Sequence, residues 1–377
     1  MAGDITLVLM VGGWSHGGVG YVLRGAHEAA ARDLLETLLR DEHVGRAVVA
    51  TDDAEWAATL SYLPVEIDVD AADEPFGFGR RLAVLAERYA AERILYSGGG
   101  AAPLMSMESW HAVLDRLAHS ESLVVTNNVH SCDWVGFTDA GQALSWVAGE
   151  SNDNAVAWLL SREAGMPVES CPPTASTRFD LDTPVDLLIA RRHPTIGQHL
   201  REYLNGLSWS SRQLDEVLAI MTREGTSLAI AGRVSSAAWD AIDRATQCWI
   251  RVFAEERGMR ASGRQARGEV RSLLANHVRE VGIERFFRDL GGMVDGVLLD
   301  NRVILAARGI WPSMADRYCS DLLRWRDVEE PFLRRMTWAA AEAHIPIVMG
   351  GHSIVSGGLM ALAEIVSAGK GGRPDVR

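Results

Sequence analysis

Ile5-Thr6-Leu7-Val8-Leu9-Met10-Val11-Gly12-Gly13-Trp14-Ser15-His16-Gly17-Gly18 is the stretch that decides the fold. A short apolar run ended by glycines reads as a buried strand entering a turn. Ala30, Leu34, Leu35 and Leu38 then recur at helical spacing, predicting an amphipathic helix from Ala26 to Leu39. Strand, glycine-rich loop and helix are the opening unit of an α/β domain. Glycines in such a loop adopt the φ values that let successive backbone N–H groups face a phosphate, although the same loop also reads as a flexible turn. Gly12, Gly13, Ser15, Gly17 and Gly18 are therefore candidate nucleotide-binding residues, with Trp14 and His16 placed to stack on or hydrogen-bond a base.

Outward from this unit the alternation continues. Strands are expected at Ala47–Thr51, Val65–Val69, Arg93–Tyr96 and Leu123–Thr126. Helices are expected at Ala54–Leu60, Arg80–Ala91, Met107–Leu117, Asn152–Ala164 and Val185–Arg192. This pattern predicts a Rossmann-like, mostly parallel sheet over residues 5–192. Pro194 and Ser208-Trp209-Ser210-Ser211 interrupt it, placing two domains at 1–200 and 201–377. The second domain reads as a smaller, helix-rich α/β layer with strands at Ser227–Ala231, at Gly296–Leu299 running on through Val303–Ala307, and at Ile345–Met349. The Gly-rich tail from Gly369 is expected to be mobile.

Composition narrows the chemistry. The chain has 377 residues, 47% apolar and 23% charged, with a net charge of −13, so a nucleic-acid backbone is a poor partner. Of the 37 basic residues only Lys370 is lysine, which argues against a P-loop, a pyridoxal Schiff base and a Ser-Lys hydrolase. The 4 cysteines, Cys132, Cys171, Cys248 and Cys319, are scattered without a C-x-x-C pair, against a structural zinc site or disulfide framework. No basic leader precedes Ile5 and no apolar run approaches a membrane span, so a soluble cytoplasmic protein is expected.

Phe179-Asp180-Leu181-Asp182-Thr183-Pro184-Val185-Asp186-Leu187 is the most specific string of the first half. Alternating carboxylates at a strand end share a face, where Asp180 and Asp182 can hold Mg²⁺ or Mn²⁺ against a triphosphate. The same residues also read as a helix N-cap, Asp182 or Thr183 ahead of Pro184. The string resembles the closing motif of nucleotidyltransferases of cofactor biosynthesis, the molybdenum-cofactor and 2-phospho-L-lactate guanylyltransferases. Asp52 after the second strand, the Gly98–Leu104 turn and the Gly149–Gly165 segment fall in that family's order. The resemblance covers residues 5–192 and implies a nucleotide-diphospho-sugar transferase-like fold. It also implies a metal-dependent transfer of a nucleoside monophosphate from an NTP to a small phosphorylated or carboxylated acceptor. Asp180 and Asp182 would hold the metal, Asp52 would join the nucleotide site, and Arg24 would stand for the loop's phosphate-binding cation. Two departures stand out: Ala101 occupies the turn position where the family has a metal-binding aspartate, and the loop has no lysine. These favour an alternative, a catalytically degenerate nucleotide-binding scaffold.

In the second half, Ile345–Gly358 reads as strand, glycine-rich turn and helix, a geometry that offers free N–H groups to an anion. Val355 breaks the Gly-x-Ser-x-Gly pattern, against a serine hydrolase. Arg233, Asp300-Asn301-Arg302, Asp316-Arg317 and His352 flank predicted strand ends. If they converge, they form a small-anion pocket with Arg233 as ligand and His352 as acid or base; otherwise they are salt bridges on solvated helix ends. That pocket would bind the acceptor or be a small-anion enzyme site in its own right, and the domain can also form a homodimer interface.

Overall fold

The structure, a computed structural model, describes residues 3–14, 17–70, 76–260 and 262–369. Ser15, His16 and the tail from Lys370 lie outside the described residues. Contacts group the chain into two compact units: Met1–Trp14, Arg24–Arg178 and Gly197–Tyr203 form the first, and Ser15–Leu23, Phe179–Ile196 and Leu204–Arg377 the second.

The first unit is built on a seven-stranded sheet of order β3-β2-β1-β4-β6-β5-β7. Its strands are β1 (Ile5–Val11), β2 (Val44–Thr51), β3 (Glu66–Val69), β4 (Arg93–Gly98), β5 (Val124–Thr126), β6 (Trp134–Phe137) and β7 (Val168–Ser170). All pairings are parallel except those of β6, which runs against both β4 and β5. Strand β1 is central because it is apolar on both faces, and period-two alternation sends its residues to two cores. Leu7 and Leu9 pack with Ala47, Val49 and Leu95 against Leu34, Leu35 and Leu38 of helix Gly18–Leu38. Val8 packs on the other face with Val48, Ile94, Leu82, Leu85 and Phe137.

The second unit holds a four-stranded, all-parallel sheet of order β11-β10-β8-β9, with β8 (Ser227–Gly232), β9 (Trp249–Ala254), β10 (Gly296–Asp300) and β11 (Ile347–Gly350). Ala229, Ala231, Val297, Leu299, Ile347 and Met349 share a core with Phe286, Phe287, Leu290 and Met336 from the covering helices. The architecture is thus α/β throughout, a mostly parallel seven-stranded sheet in the first unit and a helix-rich α/β unit with a smaller, four-stranded sheet in the second, although the second unit holds more of the chain than the smaller domain expected. Among the described residues no helix is long and apolar enough to cross a membrane.

Several expectations need correction. The first helix starts at Gly18 rather than Ala26, and the helix expected over Asn152–Ala164 is confined to Val156–Arg162. Strand β6 and helix Ala140–Val147 were not anticipated: β6 has four residues, and its place between β4 and β5 is set by long-range pairing. Val303–Ala307, expected as strand, lies in the helix Arg302–Ala307. Val303, Ile304 and Leu305 are all fully buried, and a short apolar run enclosed on all sides has no period that separates helix from strand. Strand β9 was also missed; it is an edge strand whose Trp249 is exposed.

Candidate functional site

In parallel α/β sheets ligands bind beyond the carboxyl ends of the strands, because loops and helix N-termini converge there. In the first unit β1, β2 and β4 end at Val11, Thr51 and Gly98, and their registers pair Val11 with Thr51 and Met10 with Gly98. Gly12-Gly13, Asp52-Asp53 and Gly99-Gly100-Ala101 therefore emerge side by side. Gly13 has φ +78°, and its N–H donates to Asp52 Oδ2 at 3.0 Å. A Cβ on Gly12 would sit 2.9 Å from Asp52 Oδ1, so the loop and the carboxylate pack backbone against side chain. The loop thus already presents an N–H to an anionic oxygen, the one Asp52 supplies.

Arg24 does not stand free at this edge. It is buried, bonded to Glu28 Oε1 at 2.8 Å, ion-paired with Asp53 and 3.9 Å from Asp52. Burial works against its charge, but the Glu28 hydrogen bond and the Asp53, Glu28 and Asp52 charges leave its pKa above the ordinary arginine value. Burial in turn pushes the Glu28 carboxyl up. Asp53 is committed to the N-cap of helix Ala54–Ala58, accepting from the Glu55 and Trp56 N–H groups at 2.9 Å each. One guanidinium among three carboxylates leaves the edge acidic, a setting that suits a phosphate only when a cation accompanies it. Ala101, where the family resemblance places a carboxylate, is buried in the apolar core. Of the loop residues proposed from sequence, Gly17 and Gly18 lead into the long helix, with Tyr21 N–H donating to the Gly17 carbonyl. Ser15 falls outside the described residues.

Asp180 and Asp182 belong to the second unit, Asp180 half-buried and Asp182 exposed. The helix cap is Thr183, not Asp182: the Thr183 N–H and hydroxyl donate to Asp186 Oδ2 at 2.7 and 2.8 Å in a capping box ahead of Pro184. Burial pushes the Asp186 carboxyl up to about 7. The Asp182 side chain is thereby left to solvent, and its carbonyl accepts from the Tyr318 hydroxyl at 3.2 Å.

The second sheet brings Arg233, Asp300, Arg302 and His352 together at the ends of β8, β10 and β11. Arg233 donates Nε and Nη2 to Asp300 at 2.6 and 3.0 Å. Asp300 is buried, yet the Arg233 charge overcomes the burial cost and holds its carboxyl low. Only glycine fits at Gly232, which has φ +130° and whose Cβ would meet Asp300 Cβ at 2.4 Å. His352 Nε2 donates to the Arg233 carbonyl at 3.2 Å, leaving Nδ1 as the basic nitrogen. Burial, with help from Arg233, lowers His352 to about 4, so it is neutral at pH 7. Arg302 reaches Asn301 Oδ1 and Asp321 Oδ2, each at 2.6 Å, and burial pushes Asp321 up to about 6. Arg317 and Arg260 both lie over the Trp311 ring, 4.9 and 6.0 Å from its centroid. Burial and repulsion from Arg302 lower the Arg317 pKa.

Arg233 and Arg302 are thus neutralised internally, whereas Arg260 and Arg257 are exposed and Arg317 is half-buried on Trp311. Asp321, Arg260 and Trp311 were not singled out from sequence, since nothing in their local pattern distinguishes them from helix and loop residues. A shallow cavity of about 950 Å³ lies elsewhere, at the amino end of β4 between Glu87, Arg93, Asp139 and Ala140, and holds none of these residues.

No protein-family model and no curated protein matches the chain. Among solved structures, the chain is similar to a cytidylyltransferase from Leptospira borgpetersenii serovar Hardjo-bovis, at 13% identity and TM-score 0.40, over 54% of this chain and 93% of that one. It is also similar to 4-diphosphocytidyl-2C-methyl-D-erythritol synthase from Anaerococcus prevotii, at 13% identity and TM-score 0.36, over 50% and 94%. A third is a Desulfovibrio desulfuricans protein provisionally described as a nucleotide-diphospho-sugar transferase, at 12% identity and TM-score 0.35, over 45% and 80%. The similarity is one of fold.

Proposed function

We propose that the chain is a nucleotidyltransferase-like protein of cofactor or specialised metabolism. In this reading the first unit binds an NTP at the carboxyl edge of its sheet, and a nucleoside monophosphate passes to a small phosphorylated or carboxylated acceptor. The observation that carries it is the glycine-lined edge at β1, β2 and β4, where Gly13 N–H already holds a carboxylate oxygen and Asp52 stands beside the loop. The backbone there contacts an anion without a lysine. The excess of acid around Arg24 supports a nucleotide that arrives with a divalent cation rather than bare.

Asp180 and Asp182 fit such a cation by donor chemistry. Mg²⁺ takes hard oxygen ligands, commonly one or two carboxylates with waters and phosphate oxygens, and Asp182 is relieved of capping by Thr183 and Asp186. The chain's own contribution is positioning: the Gly12-Gly13 backbone would meet the phosphates, the Gly13 N–H exchanging the Asp52 oxygen it now holds for a phosphate oxygen. In the second unit Arg260 and Arg317 on Trp311 offer cations suited to a small anion, and His352, beside Arg233 and Asp300, offers a neutral imidazole as base.

The guanylyl-transferring type implied by the motif string is the narrower form of the proposal, and cytidylyl transfer is the competing one. The test is isothermal titration of GTP, CTP and ATP with and without Mg²⁺, followed by pyrophosphate release with phosphorylated and carboxylated acceptors. Mg²⁺-dependent binding of one nucleotide with turnover supports the transferase. Binding without pyrophosphate release supports the degenerate scaffold, the reading that Ala101 favours. No nucleotide binding overturns both and leaves the second unit as a small-anion site.

A further inference from the structure

A second cluster of metal-ligating side chains lies in the first unit, at the opposite edge of its sheet. Asp41 and His43 occupy the turn that leads into β2, and His111, Asp115 and His119 recur every four residues along helix Met107–Ala118 and its C-cap. That spacing puts the three helical residues on one face.

The Asp41 carboxylate is fully buried and uses both oxygens. Oδ1 accepts from the His43 N–H at 3.0 Å and from His43 Nδ1 at 2.8 Å, while Oδ2 accepts from His111 Nδ1 at 2.7 Å. Each imidazole therefore donates from Nδ1, which in the neutral ring leaves Nε2 as the ligating nitrogen. A carboxylate behind a histidine is how metal-binding imidazoles are oriented and made more basic. His43 Nε2 faces Asp115 Oδ1 at 3.9 Å, and Asp115 Oδ1 is 3.1 Å from His119 Nδ1. The three ligand atoms lie within 4.8 Å of one another. Ligands of a tetrahedral zinc ion stand roughly 3.3 Å apart, given bonds of about 2.0–2.1 Å.

Closing that small difference needs movement only of solvent-facing groups, since the Asp115 and His119 side chains are 50% and 72% exposed. His119 Nδ1 now points at the Asp115 carbonyl, which would keep its bond from the His119 N–H on release. A purely structural anchor accounts for Asp41, His43 and His111, because Asp41 is satisfied by those partners alone. Asp115 and His119 lie outside that anchor, yet their ligand atoms and that of His43 face one another within 4.8 Å.

We propose that His43, Asp115 and His119 bind a divalent transition ion of the zinc class, with Asp41 positioning His43 from behind. Two imidazoles and one carboxylate select such an ion over Mg²⁺ or Ca²⁺, and three protein ligands leave a coordination position for water or an exogenous group. The proposal is independent of the nucleotide reading, because it uses none of the same residues.

The experiment uses the tag-free full-length chain, stripped with chelator and titrated with Zn²⁺ by calorimetry and with Co²⁺ by visible ligand-field absorption. One equivalent is expected to bind, to give a four-coordinate Co²⁺ spectrum and to raise Tm. His119→Ala, which removes only an exposed side chain, should weaken binding at least tenfold and abolish the Tm rise. Asp41→Asn should weaken it by about 10- to 100-fold through loss of the orienting carboxylate. His130→Ala, an exposed control away from the cluster, should bind like the parent. Affinities unchanged in His119→Ala, or no binding by the parent above nonspecific uptake, would reduce the cluster to a hydrogen-bonded anchor.

Discussion

The carboxyl edges of the two parallel sheets solve the same topological problem with opposite materials. At the first, glycines bring backbone close to a carboxylate, and the one arginine is surrounded by acids. At the second, long side chains fill the edge, and Arg233 and Arg302 are each closed on a buried aspartate. A backbone-built edge is adaptable, because Asp52 can shift at small cost. A side-chain-built edge of buried ion pairs is stable only while every partner is present.

The strongest way to break this contrast is Asp300→Ala. It strands the Arg233 guanidinium in a buried site, and a loss of roughly 3–5 kcal/mol in denaturant unfolding is expected. The matching change in the first unit, Asp53→Ala, should cost only about 1–2 kcal/mol, because Glu28 still holds Arg24 and the main loss is a helix cap. Equal costs would show that the two edges are built alike.

Titration sharpens the contrast next. His352 is lowered to about 4 from an unfolded value of 6.5, so its neutral form stabilises the fold above pH 6.5 and that contribution is lost as pH falls through 4. Relative to His352→Gln, the parent should lose roughly 3 kcal/mol across that window. Asp186 runs the other way. Raised to about 7 from 3.8, its protonated form stabilises below pH 4, and the contribution fades as pH rises through 7. Asp186→Asn should therefore gain on the parent as pH climbs from 4 to 8, by a similar amount. Denaturant unfolding at stepped pH checks both, and parallel pH profiles of parent and variant would remove these groups from the account.

Glycine substitutions probe the backbone itself. Gly232→Ala places a Cβ 2.4 Å from Asp300 Cβ at φ +130° and should cost roughly 1–3 kcal/mol. Gly12→Ala meets only the movable Asp52 carboxylate at 2.9 Å, so its stability cost should be under about 1 kcal/mol. Its effect should instead appear as weaker nucleotide binding. The smallest stability change is expected for exposed Asp182→Ala, within about 0.5 kcal/mol, because Thr183 and Asp186 carry the cap. Under the proposed metal role that variant nonetheless loses Mg²⁺ binding, and calorimetry separates the two effects.

Local signals were legible where one segment holds all the information. The apolar run Ile5–Val11, β-branched and closed by glycines, read as a buried strand entering a turn, and Thr183-Pro184 with Asp186 encodes its own helix start. The alternation of such segments was enough for an α/β architecture in both halves. Candidate site residues were legible as types at strand ends, but not as partners. Arg24 read as a free phosphate ligand, and its neighbour Asp53 is 29 residues away; His352 bonds Arg233 across 119 residues.

What tertiary structure alone decided is therefore everything set by pairing across long sequence separations. It placed antiparallel β6 between β4 and β5, turned Arg302–Ala307 into a helix, and drew residues 179–196 into the second compact unit. It also gathered His43 and His119 around one aspartate. Periodicity and capping act within a few residues, so sequence displays them. A buried charge takes its pKa and its role from whichever distant partner the fold delivers, and that choice exists only once the chain has closed on itself.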